Sequence, residues 1–136
     1  MRAKATRDRQ FLDWLRAQEC PVSGATPCEP AHTFKSTGGG GTGFKSSDKY
    51  ALPLSNREHS KQSLMPEIKY WRDVLIAKPV LRRMMQICYT VMHSDRDIED
   101  PLWLSDIKEH DWLVKRLVQA FAEVYYFNRY LEGKTP

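Results

Sequence analysis

The sequence predicts an α+β protein, with a small strand–strand–helix motif set in a mainly helical single domain. Three observations carry this reading. Two short β-compatible stretches flank a glycine-rich segment, a helix-start signal directly follows the second, and the chain after Pro66 is dominated by apolar residues at helical spacing. The 136 residues are 41% hydrophobic and 28% charged, an ordinary globular composition with enough chain to bury one core.

The elements follow in order. Over residues 7–18, Phe11, Leu12, Trp14 and Leu15 form one apolar stripe with Arg7, Arg9 and Arg16 outside it, so a short helix ending near Gln18 is expected. Pro21, Gly24, Pro27, Cys28 and Pro30 make residues 20–31 loop or turn. Ala31 to Phe34 reads as a short strand. Gly38, Gly39, Gly40, Gly41 and Gly43 make residues 36–47 a flexible loop. Tyr50 to Leu54 reads as the second strand, with Pro53 placing it at an edge or strand end. Ser55 and Glu58 stand three apart, as a capping box requires. The helix they start carries His59 and Gln62 and should stop by Met65, before Pro66.

Pro66 can open a further helix with Ile68, Trp71, Val74 and Leu75 inward. Pro79 breaks it and starts another with Leu81, Met84, Met85, Ile87, Cys88 and Val91. His93 to Asp100 is a polar connection. In the last helix Leu113, Leu117, Phe121, Val124 and Leu131 share a face, with Gly133 as the stop. The chain thus divides into residues 1–65, holding the first helix and the strand–strand–helix motif, and residues 66–136, a helical part expected to pack on it.

Several classes are excluded or disfavoured. No run of about 18 apolar residues is present to span a membrane. The basic N-terminus leads into no apolar stretch of a secretory signal. Three cysteines, Cys20, Cys28 and Cys88, are too few for a disulfide framework, so a reduced, cytoplasmic protein is expected. The net charge is +4. Residues 1–65 carry 10 Lys/Arg against 6 Asp/Glu, whereas residues 66–136 carry 11 of each. All the excess positive charge sits in the first half, where a polyanion would be drawn.

Three constellations bear on chemistry. Gly38 to Ser46 resembles a phosphate loop, but Phe44 separates Gly43 from Lys45 where that motif needs Lys next to Gly. Cys20, Cys28, His32 and His59 are ligand types for a transition metal, although paired short spacings are absent. Cys88 reads as a small core residue, and His93 and His110 as exposed helix-end residues. The third constellation joins the parts: a His at a strand end, a glycine loop, a second strand and a helix carrying a His. That order suits a neutral imidazole that deprotonates water beside a divalent cation.

This order resembles the ββα-metal (HNH) nuclease motif. The run CPVSGATPCEPAHTFKSTGGGGTGFKSSDKYALPLSNREHSKQ is similar to phage and prophage HNH proteins of the Ref (recombination enhancement function) type. The matching residues are Cys20, Gly24, Cys28, Ala31, His32, Gly43, Lys45, Ser47, Asp48, Pro53, Leu54 and His59, within a resemblance covering about residues 7–85. It implies a metal-dependent DNA endonuclease of phage origin, acting in recombination or genome processing in the bacterial cytoplasm, with DNA and a recombinase as partners. It makes His32 the general base, Asp48 the residue that orients it or helps bind metal, and His59 the metal ligand. The divalent metal would be Mg²⁺ or Mn²⁺, with Zn²⁺ an alternative. Lys45, Lys35, Arg57 and Lys61 become phosphate contacts.

The chain departs from that family at Ser23, Ser55, Glu58 and Ser63, which occupy ligand positions. The family's structural zinc is therefore expected to be absent, with Cys20 and Cys28 as residual ligands. A second reading is a catalytically inactive HNH-derived module that binds DNA or protein. Trp103, Trp112, Tyr125, Tyr126 and Tyr130 then offer an interface or, alternatively, core packing.

Overall fold

A computed structural model describes residues 7–34, 46–93 and 102–134. It is mostly helical with one two-stranded antiparallel sheet, an α+β arrangement. No helix among the described residues is long and apolar enough to cross a membrane.

Helix α1 spans Arg9–Arg16 and buries Phe11 and Leu15. Its N-cap is Asp8, whose carboxylate accepts the Phe11 N–H at 3.0 Å. A turn over residues 20–24 follows, closed by the Gly24 N–H donating to the Cys20 carbonyl at 2.7 Å. Gly24 has φ +77°, a conformation only glycine adopts cheaply.

Strand β1 is Glu29–His32, two residues earlier than the pattern suggested. Pro30 makes the sequence look like loop, yet it pairs directly with Pro53 across the sheet. Neither proline has an N–H, so this is a non-hydrogen-bonded pair of the antiparallel ladder, where none is needed. Thr33 and Phe34, expected within the strand, lie beyond it. Phe34 has φ +50°, which ends the extended run. The glycine segment from Gly38, together with Lys35 and Lys45, lies outside the described residues. Asp48–Tyr50 forms a 3-10 turn leading into strand β2, Ala51–Leu54, so Tyr50 precedes the strand.

Helix α2, Asn56–Leu64, ends before Pro66 as expected. Only half of the capping box forms. The Ser55 hydroxyl accepts the Glu58 N–H at 3.4 Å, but the Glu58 carboxylate turns inward to the Tyr70 hydroxyl instead of back to Ser55. Helix α3 is Glu67–Ala77 and helix α4 is Pro79–His93, each introduced by its proline. Helix α4 buries Leu81, Met85, Cys88 and Tyr89. Ile87 and Val91, expected inside, are on its exposed side at 45% and 65% exposure.

Helix α5, Leu102–Glu109, buries Trp103 and Ile107 and is a separate element that the periodicity did not resolve. Helix α6, Asp111–Ala120, runs into a π-helical segment, Phe121–Phe127, and then helix α7, Asn128–Lys134. A π turn closes i→i+5 bonds and so inserts a residue into the repeat. The buried face therefore passes from Leu113, Leu117 and Phe121 to Tyr126 and Tyr130. Val124 is only half-buried and Leu131 is exposed.

Buried side chains from both halves of the chain form one cluster. Phe11 packs edge-on against Phe127 at 5.0 Å and lies 5.3 Å from Tyr130, so α1 docks on the C-terminal segment. Of the aromatic residues with two readings, Trp103, Tyr126 and Tyr130 are core. Trp112 is exposed.

Candidate functional site: a polar cleft between β1 and α2

Strand β1 and helix α2 wall a cleft of about 680 Å³ lined by Leu12, Arg16, Glu29, Pro30, His32, His59, Gln62, Ser63 and Glu67. Ala31 points to the core, while His32 at the strand end turns to the cleft. The structure thus brings together the two histidines that stand far apart in the sequence.

His32 is fixed from behind. Its Nε2 lies 2.7 Å from Oδ1 of Asp48, and the two side chains are 11% and 6% exposed. Asp48 also accepts the backbone N–H of Asp8 at 2.8 Å and a 3.4 Å contact from the Arg7 guanidinium. Burial works against the Asp48 charge, but the hydrogen bonds from His32 and Asp8 and the charges of His32 and Arg7 outweigh it. Its pKa is held below the ordinary aspartate value. Asp48 is buried behind His32 and is not among the cleft-lining residues. With Nε2 directed at Asp48, Nδ1 is the nitrogen left to accept a proton.

The segment carrying His32 is pinned at successive residues. The Thr33 hydroxyl donates to the Tyr50 carbonyl at 2.7 Å, and the Phe34 N–H donates to Glu67 at 2.9 Å. Glu67 also accepts from Gln62 at 2.8 Å and from the Trp71 indole at 3.1 Å. Its carboxylate is thereby committed to holding the end of β1 on α3.

Across the cleft His59 meets Glu29. The His59 Nδ1 is 2.7 Å from Glu29 Oε1, and the Asn56 amide donates to Glu29 Oε2 at 2.9 Å. These bonds, Asn56 first and then His59, lower the Glu29 pKa. Glu29 is a site residue that the sequence reading did not single out. Its only signal is position, three residues before His32, and its pairing with α2 depends on the register of the sheet. Arg16 adds a half-exposed cation to the same wall.

A metal's fit follows from the donors. Glu29 and His59 supply one carboxylate and one imidazole side by side, and the described residues contain no group of three or more metal-ligand side chains. Two donors suit a cation that keeps water and takes phosphate oxygens, as magnesium does. They do not suit a closed four-ligand zinc site. Ser63, one turn after His59, donates its hydroxyl back to the His59 carbonyl at 3.0 Å.

The remaining ligand-type residues form a different corner. Cys20 and Cys28 are both buried free thiols. Burial raises the Cys20 pKa, but the Ser23 hydroxyl and the N–H groups of Ser55, Ser23 and Val22 lower it further, so its net shift is downward. Cys28 donates to the Ala25 carbonyl at 3.4 Å, and burial pushes its pKa up to about 11. Ser23 donates to Ser55 at 3.2 Å, and Glu58 takes the Tyr70 hydroxyl at 2.9 Å and Lys61 at 3.4 Å. Cys88 is buried, and His93 and His110 are exposed at helix ends. Arg57 is exposed on α2, whereas Lys61 is tied to Glu58.

Fold and site together define a mostly helical α+β protein with a two-histidine, carboxylate-backed cleft. The chain belongs to the family described as a protein of unknown function (DUF968), whose model matches residues 2–87 and so spans all the cleft residues named above. No curated protein and no solved structure matches the chain.

Proposed function

We propose that this protein is a metal-dependent DNA endonuclease of the HNH type, of phage origin, acting in recombination or genome processing. One observation carries the reading: His32, backed by the buried Asp48, faces the same cleft as the Glu29–His59 pair. His32 takes a proton at Nδ1 from a water in the cleft. The water oxygen forms the new bond to phosphorus, the ester P–O bond breaks, and the leaving oxygen takes a proton from solvent. Asp48 holds the imidazole in the required tautomer and stabilises the imidazolium that forms. Glu29 and His59 would hold a divalent cation, which supplies charge stabilisation at the phosphate and leaving oxygen. Arg16 places a positive charge where the phosphate would lie.

A specific observation favours a second reading, a non-catalytic DNA- or protein-binding module: His59 is already bonded to Glu29, and Ser63 is bonded back to its own helix. One experiment separates the two. Purified protein is incubated with single-stranded, duplex and branched DNA in Mg²⁺, Mn²⁺ or EDTA, beside His32→Ala, His59→Ala and Glu29→Gln. Cutting that needs metal, His32 and His59 supports the nuclease. A folded wild-type protein inert with every metal, yet still shifting DNA in a gel, sinks it in favour of the binding module.

A further inference from the structure

Beside the cleft, sharing Glu67 as its dividing wall, lies a second recess lined by Phe34, Pro66, Ile68, Asp111, Trp112 and Lys115. Trp112 is a large aromatic residue at 47% exposure, near the start of α6. The Lys115 ammonium sits 5.9 Å from the Phe34 ring, and the Arg116 guanidinium sits 5.6 Å from the Trp112 ring. Neither cation forms an ion pair among the described residues. The two carboxylates at the recess are both engaged: Asp111 pairs with Arg72, and Glu67 holds Phe34, Gln62 and Trp71. The recess therefore presents aromatic and apolar walls with Lys115 in its lining and Arg116 against Trp112 at its edge, opposite the carboxylate of Glu67.

We propose that this recess is a subsite for an unpaired nucleobase, stacked on Trp112, with the adjoining phosphate on Lys115 and Arg116. The inference rests on the nucleic-acid reading of the cleft and extends it to a preference for single-stranded or locally opened strands. Two arguments select the occupant. Base stacking on an exposed aromatic residue needs no sequence match and is the usual means of gripping a single strand, with cations tracking the backbone. The recess also shares the Glu67 side chain with the cleft, so a strand lying on His32 would reach it by passing that residue. The Asp111 charge is offset by Arg72; Glu67 keeps its negative charge, because its donors are neutral N–H groups, so the phosphate would lie on the Lys115 and Arg116 side of the recess.

The test is fluorescence anisotropy with labelled oligo(dT) and with a duplex of equal length, in EDTA so that no cleavage intervenes. Trp112→Ala should weaken single-strand binding about tenfold, Trp112→Phe should retain most of it, and duplex binding should change little. Unchanged melting of both variants shows that the loss is not one of folding. Equal loss on both substrates, or single-strand binding by Trp112→Ala equal to wild type, overturns the proposal. A wild-type protein that binds no oligonucleotide at low salt overturns it too and leaves the recess to a peptide. The two readings fail separately. A protein that grips oligo(dT) through Trp112 but never cuts keeps the subsite and loses the nuclease. A protein that cuts with Trp112→Ala unaffected loses only the subsite.

Discussion

Glu58 and His59 are neighbours in α2, yet they belong to opposite kinds of environment. Successive helical residues point about 100° apart, so one faces the corner around Cys20 and the other the cleft. In the corner every polar side chain is matched by another: Ser23 with Ser55, Glu58 with Tyr70 and Lys61, Cys20 with three backbone N–H groups. The cleft groups have partners as well, but several of them remain open to solvent. Asp48 holds His32 from behind, and Asn56 and His59 hold Glu29, while Arg16 and Ser63 are exposed and Glu29 and His59 partly so. The corner is closed and the cleft is open. Ligand-type residues alone do not distinguish the two, because both regions contain them.

The comparison is broken most severely at Asp48. Replacing it with Ala leaves the His32 Nε2 and the Asp8 N–H without their acceptor, and is expected to cost about 3 kcal/mol of stability in urea denaturation. Asp48→Asn keeps an acceptor for the Asp8 N–H and should cost less, but it favours the wrong His32 tautomer. Cleavage should therefore fall by orders of magnitude in Asp48→Asn while the fold remains. A stable Asp48→Asn protein that cuts normally would mean that the cleft does not depend on its backing.

The corner gives the next largest effect, and on stability alone. Tyr70→Phe removes the donor to Glu58 and leaves a buried carboxylate oxygen without it, for a cost of about 1–3 kcal/mol. The Tyr70 pKa is raised by burial first and by Glu58 second, which keeps the phenol protonated and donating across the physiological range. DNA binding and cutting per folded molecule should match wild type. If Tyr70→Phe instead altered the metal response, corner and cleft would be coupled through α2 and would not be separate devices.

Acid separates the regions by sign. The Asp48 pKa is lowered in the folded protein, so its contribution to stability is complete above the ordinary aspartate value and is lost as pH falls through the folded value. The urea midpoint of wild type should fall between about pH 5 and about pH 2, with a shallower fall in Asp48→Asn. Tyr70→Phe should keep the wild-type slope, since it leaves Asp48 untouched.

The same contrast explains what the sequence made legible. Local signals place the proline-started helices, the Ser55 cap and the strand–strand–helix order, because each depends on a few adjacent residues. His32 and His59 stand out through the order of the motif, and Asp48 through the family resemblance. Glu29 and Glu67 do not, since their roles come from sheet register and from α3 docking beneath Phe34. The final helix was read with an unbroken 3.6-residue period. The π segment breaks it by backbone hydrogen bonding, which side-chain periodicity does not report, so Val124 and Leu131 were placed inside and Tyr126 and Tyr130 left open.

The smallest expected effect lies among the surface cations, and it tests whether the cleft side alone meets the phosphate backbone. Arg16 lines the cleft with an exposed partner, Asp13 at 3.6 Å, whereas Lys61 is drawn toward the corner by Glu58. Arg16→Gln and Lys61→Gln should each leave stability within about 0.5 kcal/mol of wild type, being surface changes. On DNA they should differ. Removing a cation that neutralises a phosphate lowers the salt dependence of binding by about one counterion, so a titration across salt concentrations should show a shallower slope for Arg16→Gln. Lys61→Gln should leave the slope near wild type because its charge is already offset by Glu58. Equal slope changes in the two variants would place the DNA across both faces of α2, and the division between the closed corner and the open cleft would not extend to the nucleic acid.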